Sequence, residues 1–208
     1  VWKLNVAHVF FMQESKFKEA IRYYDPIVKK KAESGILDVP AIVLANLCVA
    51  HIMTSQNEDA EDLMRKIEKE EERLAYTDPD RQCYHLCIVN LVIGTLYCAK
   101  GNFEFGISRI IKSLEPYDKK LGPDTWFYAK RCFLALAEHM AKHMLMLKDA
   151  SITEILTFLD ACEANGASVS TIITPTVDPD GKHGVDTRTK NVAYEARLLK
   201  RIFLQLRD

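Results

Sequence analysis

The sequence lacks the features that mark several common classes of protein. Its formal net charge is only −1 over 208 residues, so no bulk electrostatic argument favours nucleic acid or anionic lipid as a partner. No apolar run approaches the ~20 residues that a transmembrane helix needs. No signal peptide, transit peptide or lipidation motif is visible either. We therefore predict no nucleic-acid partner and no insertion into a membrane.

Glycine, proline and paired cysteines are also scarce. The eight glycines and seven prolines mostly stand at the ends of periodic segments rather than in linkers. The six cysteines form no CxxC pair and mostly lie inside apolar runs, which is typical of reduced, buried thiols rather than of a disulfide framework. Phosphate-loop, GxSxG and GxGxxG motifs are absent. The sequence thus predicts no cofactor, no catalytic residues and no enzymatic activity.

Two short clusters come nearest to metal chemistry. Cys83, His85 and Cys87 are close in sequence, but His85 points away from the face that the two cysteines share. A structural zinc site needs four convergent ligands, usually with a tighter cysteine pair. His139 and His143 are four apart without the glutamate of an HExxH motif. We interpret the first cluster as buried thiols, the second as surface or boundary histidines, and predict no metal site.

What the chain does contain is helical periodicity. The stretch AIVLANLCVAHIM, residues 41–53, has only two polar side chains, Asn46 and His51. It is too long for a buried strand of ~4–8 residues, so it predicts a helix enclosed by neighbours on all sides. We expect His51 to be a hydrogen-bonded core histidine beside Cys48.

Capping signals divide the chain into successive helices. Ser55 with Glu58 and Ser151 with Glu154 have the spacing of capping boxes, and Asp78 next to a proline suggests another helix start. Because the first residues already have helical character, we expect a fragment of a longer protein. The predicted helices are 3–14, 16–34, 38–54, 56–75, 79–100, 102–121, 124–147, 150–165 and 190–207.

The helices form pairs that share a register. In each of three pairs a small residue, Ala20, Ala60 or Gly106, follows the turn at the same place. Phe17 and Phe103 precede two of them by three residues, and Gly94 supplies a further point of close approach. This is the tetratricopeptide pattern, with longer spacings than its usual ~34 residues. We predict an all-α solenoid with repeats over 3–36, 38–76, 79–121 and 124–165, a loop at 166–189, and a C-terminal helix at 190–208.

The same register predicts an apolar inner groove. The positions that face it belong to the first helix of each pair, and they are Val9, Met12, Ile42, Ala45, Val49, Ile52, Met53, Ile88 and Leu91. A water-filled groove would carry polar residues there, because large exposed apolar patches usually mark interaction surfaces. Either the solenoid closes on itself or an apolar partner segment fills it. A register shifted by one residue would instead make these side chains ordinary core.

Three stretches of the sequence resemble one family. They are ANLCVAHIMTSQNEDAEDLMRKIEKEEE, YHLCIVNLVIGTLYCAKGNFEFGISRIIKSLEPYDKKLG and DTWFYAKRCF. All three are similar to the C-terminal repeats of the tetratricopeptide repeat protein 30 family, also known as Fleer, across about residues 4–147. That family supplies a core subunit of intraflagellar transport complex B.

The resemblance implies a scaffold that works in the cilium and at its base. Its repeats are expected to wrap an apolar segment of a sibling core subunit of complex B. The family is also linked to cilium assembly, to the anterograde kinesin motor and to polyglutamylation of axonemal tubulin. The alternative is an adaptor that holds a motor or a tubulin-modifying enzyme through its charged convex face, with Lys66, Lys69 and Arg73 as contacts.

Overall fold

The computed structural model describes residues 2–81, 83–171 and 190–207, and its regular structure is helical. Within these ranges, strand-type pairing is limited to one antiparallel bridge between Ser170 and Asn191. The predicted all-α fold of the tetratricopeptide-like solenoid class is therefore confirmed. The helices are α1 (Trp2–Met12), α2 (Phe17–Ala32), a 3₁₀ helix (Ile36–Asp38), α3 (Ala41–Met53), α4 (Asn57–Thr77), α5 (His85–Ala99), α6 (Phe103–Ser113), α7 (Tyr117–Lys120), α8 (Pro123–His143), α9 (Asp149–Asn165) and α10 (Val192–Arg207).

The chain divides into two compact units, Val1–Ile93 (unit 1) and Gly94–Asp208 (unit 2). In unit 1, α2 packs against α1 and α3, and α4 packs against α3. Because α3 lies between two neighbours, every residue from Val43 to His51 is buried. The apolar segment is thus a helix enclosed by other helices, as the sequence predicts.

Unit 2 is built around an aromatic core. Trp126 and Phe133 of α8, Phe158 of α9 and Phe203 of α10 are all fully buried. The ring centroid of Phe133 lies 5.1 Å from that of Phe158 and 6.1 Å from that of Phe203. Burial of one such side chain contributes ~1.5–3 kcal/mol, so each of these rings stabilises the unit.

Polar contacts hold α10 on this core. The Trp126 indole donates a hydrogen bond to Glu195 Oε2 at 2.7 Å, and Lys130 Nζ contacts the same oxygen at 2.8 Å. Arg197 pairs with Glu163 of α9 at 2.8 Å. A buried indole N–H needs an acceptor, so Glu195 fixes the rotation of α10 as well as its position.

One predicted helix start is wrong. The helix expected to begin beside Asp78 begins at His85. The Asp78 amide instead donates to the Leu74 carbonyl at 2.7 Å and closes the last turn of α4. In α5 the Leu86 amide donates to Glu71 Oε1 at 3.0 Å, so a side chain from α4 satisfies a first-turn N–H group that has no partner within the helix.

The two predicted capping boxes are also absent. Ser55 has a φ of +62° and precedes the N-cap residue of α4, which is Gln56. Ser151 lies inside the first turn of α9 and is buried. Neither hydroxyl occupies the N-cap position that the motif requires.

Two predicted helices are shorter than expected. The helix predicted over 102–121 is interrupted, because Pro116 has no N–H group to continue the α6 ladder. α8 ends at His143 instead of reaching 147, because Met144 takes a left-handed conformation with φ +48°. From residue 172 onward, the loop predicted at 166–189 lies outside the described residues.

Candidate functional site

An apolar stripe on α1 faces solvent. Trp2 is 64% exposed, Val9 54% and Met12 78%, and Asn5 is exposed between them. Residues spaced by three and four lie on one face of a helix, so these four side chains form a continuous stripe. The opposite side of α1 packs against α2, where Ala7 is buried.

The predicted groove residues divide into two groups by burial. Val9 and Met12 are exposed, whereas the predicted groove residues on α3 and α5 are half-buried or buried. The half-buried ones are Ile42, Ile52 and Met53, and the buried ones are Ala45, Val49, Ile88 and Leu91. The exposed members of the predicted groove therefore lie on α1.

Small residues allow two helices to touch in unit 2. A Cβ atom built on Gly106 would lie 2.7 Å from the Gly94 carbonyl oxygen and 2.6 Å from Cys98 Sγ. A Cβ atom on Gly94 would lie 2.9 Å from the Gly106 carbonyl oxygen. The backbones of α5 and α6 are thus in direct contact here, which only glycine permits.

The other residues predicted to pack the repeats are buried or half-buried. Ala20 of α2 and Ala60 of α4 are fully buried. Phe17 is buried, with its ring centroid 5.7 Å from that of Phe11, and Phe103 is half-buried. These residues belong to α2, α4 and α6, and none of them is part of the α1 stripe.

A buried polar network in unit 1 was missed by the sequence reasoning. The Asn46 amide donates to the Tyr24 hydroxyl at 3.2 Å, and that hydroxyl contacts His8 Nδ1 at 2.6 Å. With its oxygen accepting from Asn46, the hydroxyl donates to a neutral His8. Burial lowers the pKa of His8 and raises that of Tyr24. The one available signal was a polar residue, Asn46, in an otherwise apolar helix.

His51 occupies the environment that the sequence predicts. It is buried, and its Nδ1 lies 3.0 Å from the Gln56 side-chain oxygen. Asp59 is more distant, at 4.0 Å. This histidine therefore links the end of α3 to the turn before α4, which is a structural role.

The metal-like clusters have other contacts in the structure. His85 Nε2 lies 2.9 Å from the Val39 carbonyl oxygen, to which it donates. His139 and His143 are exposed on α8 with ring centroids 4.4 Å apart. In the part of the chain that the structure describes, no three His, Cys, Asp or Glu side chains converge on a possible metal position.

The six cysteines are free thiols, and five are buried, whereas Cys83, interpreted above as a buried thiol, is only half-buried. Burial makes Cys98 and Cys132 poor nucleophiles. Desolvation raises the pKa of Cys98 to about 12 and that of Cys132 to about 11. A thiol reacts as its thiolate, so both groups stay protonated and inert near neutral pH.

The exposed face of α4 is densely charged. Arg65 pairs with Asp62 at 2.9 Å, and Arg73 Nε contacts Glu70 at 3.0 Å. Exposed pairs of this kind contribute little to stability, about 0–1 kcal/mol each. The face is therefore a solvated mixture of both signs.

No helix within the described ranges has both the length and the apolar character needed to cross a bilayer. The fold defines a class: all-α proteins of the tetratricopeptide-like solenoid type, built from packed helix pairs. The chain belongs to the family of the intraflagellar transport protein 70 C-terminal domain, whose family model matches residues 1–208. The resemblance seen in the sequence is thus confirmed at the level of an intraflagellar transport family.

Several curated relatives are similar over the whole chain. Identity is 65% to intraflagellar transport protein 70A of Danio rerio over 206 residues, which are 99% of this chain and 31% of that protein. Identity is 63% to protein 70B of Homo sapiens over 207 residues, which are 99% and 30%. It is 62% to protein 70A of Bos taurus over 208 residues, which are 100% and 31%. The chain therefore spans about a third of the length of these relatives.

Proposed function

We propose that this chain is part of a non-enzymatic scaffold subunit of intraflagellar transport complex B, acting in the cilium and at its base. The observation that carries the proposal is the match of residues 1–208 to the intraflagellar transport protein 70 C-terminal domain. Identities of 62–65% over nearly the whole chain support carrying the role of the relatives to it.

The scaffold acts by burying an apolar segment of a sibling core subunit against the predicted groove. The exposed side chains of Val9 and Met12 contact this segment directly. The half-buried side chains of Ile42, Ile52 and Met53 enlarge the contact area. Each large side chain buried in this way contributes ~1.5–3 kcal/mol. Part of that gain offsets the cost of ordering the partner, ~0.5–1.5 kcal/mol for each flexible side chain that is immobilised.

Salt dependence tests this mode of binding. We expect a complex formed by co-expression with core subunits of complex B to survive washing in molar salt. Apolar burial is insensitive to screening, whereas exposed ionic contacts weaken as the Debye length falls to about 3 Å at 1 M salt. A complex that dissociates progressively as salt rises would contradict apolar burial.

A matched pair of substitutions locates the contact. Met12→Asp should remove binding with the fold intact, because Met12 is 78% exposed. Met146→Asp places the same change at an 80% exposed methionine outside the stripe, and should leave binding unchanged. Val49→Asp is less informative, since Val49 is buried and a charge there would destabilise the chain itself. Normal pull-down by the folded Met12→Asp variant would contradict the assignment.

The adaptor alternative is supported by the exposed lysines of α4. Lys66, Lys69 and Arg73 all face solvent, and would hold an anterograde kinesin or a tubulin-modifying enzyme through charge. Reversing these three charges should then abolish binding of that partner, and moderate salt should weaken it. Binding that tolerates charge reversal but not Met12→Asp favours the scaffold.

The cellular role follows from the scaffold. Cells that carry only the Met12→Asp variant should assemble short cilia with reduced polyglutamylation of axonemal tubulin. Cells with Met146→Asp are the control. Normal cilia in the Met12→Asp cells would show that cilium assembly does not need this surface.

A further inference from the structure

The end of α4 is exposed without interruption. Every residue from 75 to 81 is exposed, and Tyr76 reaches 91%. α4 ends at Thr77, and residues 78–81 form a hydrogen-bonded turn, in which the Arg81 amide donates to the Asp78 carbonyl at 3.1 Å. An enzyme can therefore reach the Thr77 hydroxyl, and opening this single turn hydrogen bond lets the residues beyond it bind in an extended form.

The residues after Thr77 carry a distinctive charge pattern. Asp78 and Asp80 place carboxylates one and three positions beyond the hydroxyl, and both are exposed. Arginine and lysine clusters recognise carboxylates in such fixed positions through charge-assisted hydrogen bonds. We propose that Thr77 is a phosphorylation site for an acidophilic serine/threonine protein kinase, a modification that goes beyond the proposed scaffold function.

Other hydroxyls with an acid three residues later lack part of this arrangement. Ser151 is buried inside α9. Thr157 is exposed, but it lies in the middle of α9, where the backbone on both sides is helical. Ser55 is exposed, but α4 begins two residues after it and no acid follows it directly. Thr77 combines exposure, a non-helical following segment and two acids.

The reaction is an ordinary phosphoryl transfer from Mg-ATP. Thr77 Oγ1 forms a bond to the γ-phosphorus, and the bond from that phosphorus to the β–γ bridging oxygen breaks. ADP leaves with the bond electrons, and the hydroxyl proton passes to the catalytic base of the kinase. ATP is the only co-reactant, and no oxidation or reduction occurs.

The phosphate would loosen the last turn of α4. Thr77 Oγ1 now donates to the Arg73 carbonyl at 2.9 Å, and a phosphorylated oxygen has no hydrogen to donate. The phosphate also adds a charge of about −1.5 to −2 at the negative end of the helix dipole, next to Asp78. Arg73 already donates to Glu70 through two nitrogen atoms. The phosphate is therefore mainly repelled by Asp78 and by the negative end of the helix dipole.

The test is phosphorylation of the purified protein by casein kinase 2, a well-characterised acidophilic enzyme, followed by mass-spectrometric mapping. We expect phosphate at Thr77, none in Thr77→Val, and labelling reduced about tenfold or more in Asp80→Asn. Thr157→Val is the matched control and should leave labelling of Thr77 unchanged. Absence of phosphate at Thr77 while an acidic peptide substrate is labelled would overturn the proposal. Equal labelling of buried Ser151 would overturn it as well.

Hydrogen exchange tests the structural consequence. Phosphorylation should lower the protection of the Thr77 and Asp78 amides by about three- to tenfold, given the size of charge effects at helix ends. The amide of Ile67, in the middle of the same helix, should not change. Unchanged or increased protection at Asp78 would show that the phosphate does not loosen the helix end.

Discussion

Replacing Gly106 by alanine tests the backbone contact between α5 and α6. The new Cβ atom would lie 2.6 Å from Cys98 Sγ, 2.7 Å from the Gly94 carbonyl oxygen and 2.9 Å from the Cys98 amide nitrogen. All three distances are below 3.0 Å, which Cβ atoms essentially never show. Because two of the atoms belong to the backbone, rotation of a side chain cannot relieve the overlap, and the two helices must separate.

Two opposing effects set the size of the change. Alanine is a better helix former than glycine by about 1 kcal/mol. Overpacking of a close-packed interior costs about 1–3 kcal/mol, and the backbone contacts favour the upper end of that range. Separation of the helices also loosens the packing of Ile107 and Ile110, which are buried beside Gly106. We therefore expect a net destabilisation of about 2 kcal/mol.

Thermal unfolding followed by far-ultraviolet circular dichroism would measure the effect. For a chain of this size, about 2 kcal/mol corresponds to a Tm about 4–8 °C lower. Gly122→Ala is the control, since its Cβ would approach nothing closer than Thr125 Oγ1 at 3.9 Å. Because Gly122 is the N-cap residue of α8, this control should lower the free energy of unfolding by no more than about 1 kcal/mol. A Gly106→Ala protein as stable as the wild type would refute the close contact.

Three further changes test other parts of the fold. Phe203→Ala should lower the free energy of unfolding by about 3–5 kcal/mol in urea titrations, whereas Leu198→Ala, at a partly exposed site on the same helix, should cost far less. Because burial lowers the folded-state pKa of His8 below 6.5, the unfolded chain binds its proton first. The contribution of His8 to the free energy of unfolding should therefore be constant above pH 6.5 and decrease as the pH falls below it, so the acid-side loss of stability should be smaller in His8→Gln. Iodoacetamide should modify Cys98 and Cys132 only after unfolding, because burial raises their pKa values; rapid alkylation of the native protein, read by mass spectrometry, would contradict this.

The helices were predictable because local patterns determine them. The run from Ala41 to Met53 has too few polar residues for any exposed face, and it forms a helix with neighbours on both sides. α4, by contrast, has one buried side, which includes Ile67, and one charged side. The helical spacing of its apolar residues is visible in the sequence. Helix ends were less predictable, because the first turn of α5 depends on Glu71 from another helix.

The candidate site was only partly predictable, because burial depends on neighbours that the local sequence does not show. Val9 and Val49 are the same residue type, and they occupy the same position relative to Ala20 and Ala60. In the structure Val9 is exposed and Val49 is buried. A pattern that places them on equivalent faces cannot distinguish an open stripe from a closed interface.

Long-range polar contacts were not predictable at all. The Asn46 amide meets the Tyr24 hydroxyl across 22 positions of sequence, and Tyr24 meets His8 across 16. Each residue taken alone is an ordinary member of its helix. Only the packing of α1, α2 and α3 brings the three side chains into one hydrogen-bonded group.

The placement of α10 has a consequence for synthesis of the protein on the ribosome. Phe203 completes the aromatic cluster, and Glu195 accepts the buried indole hydrogen of Trp126. While α10 is still inside the exit tunnel, Phe133 and Trp126 are already outside and lack these partners. Unit 2 therefore cannot complete its core during translation of its earlier helices, and the aromatic surface that α10 covers stays exposed until α10 emerges.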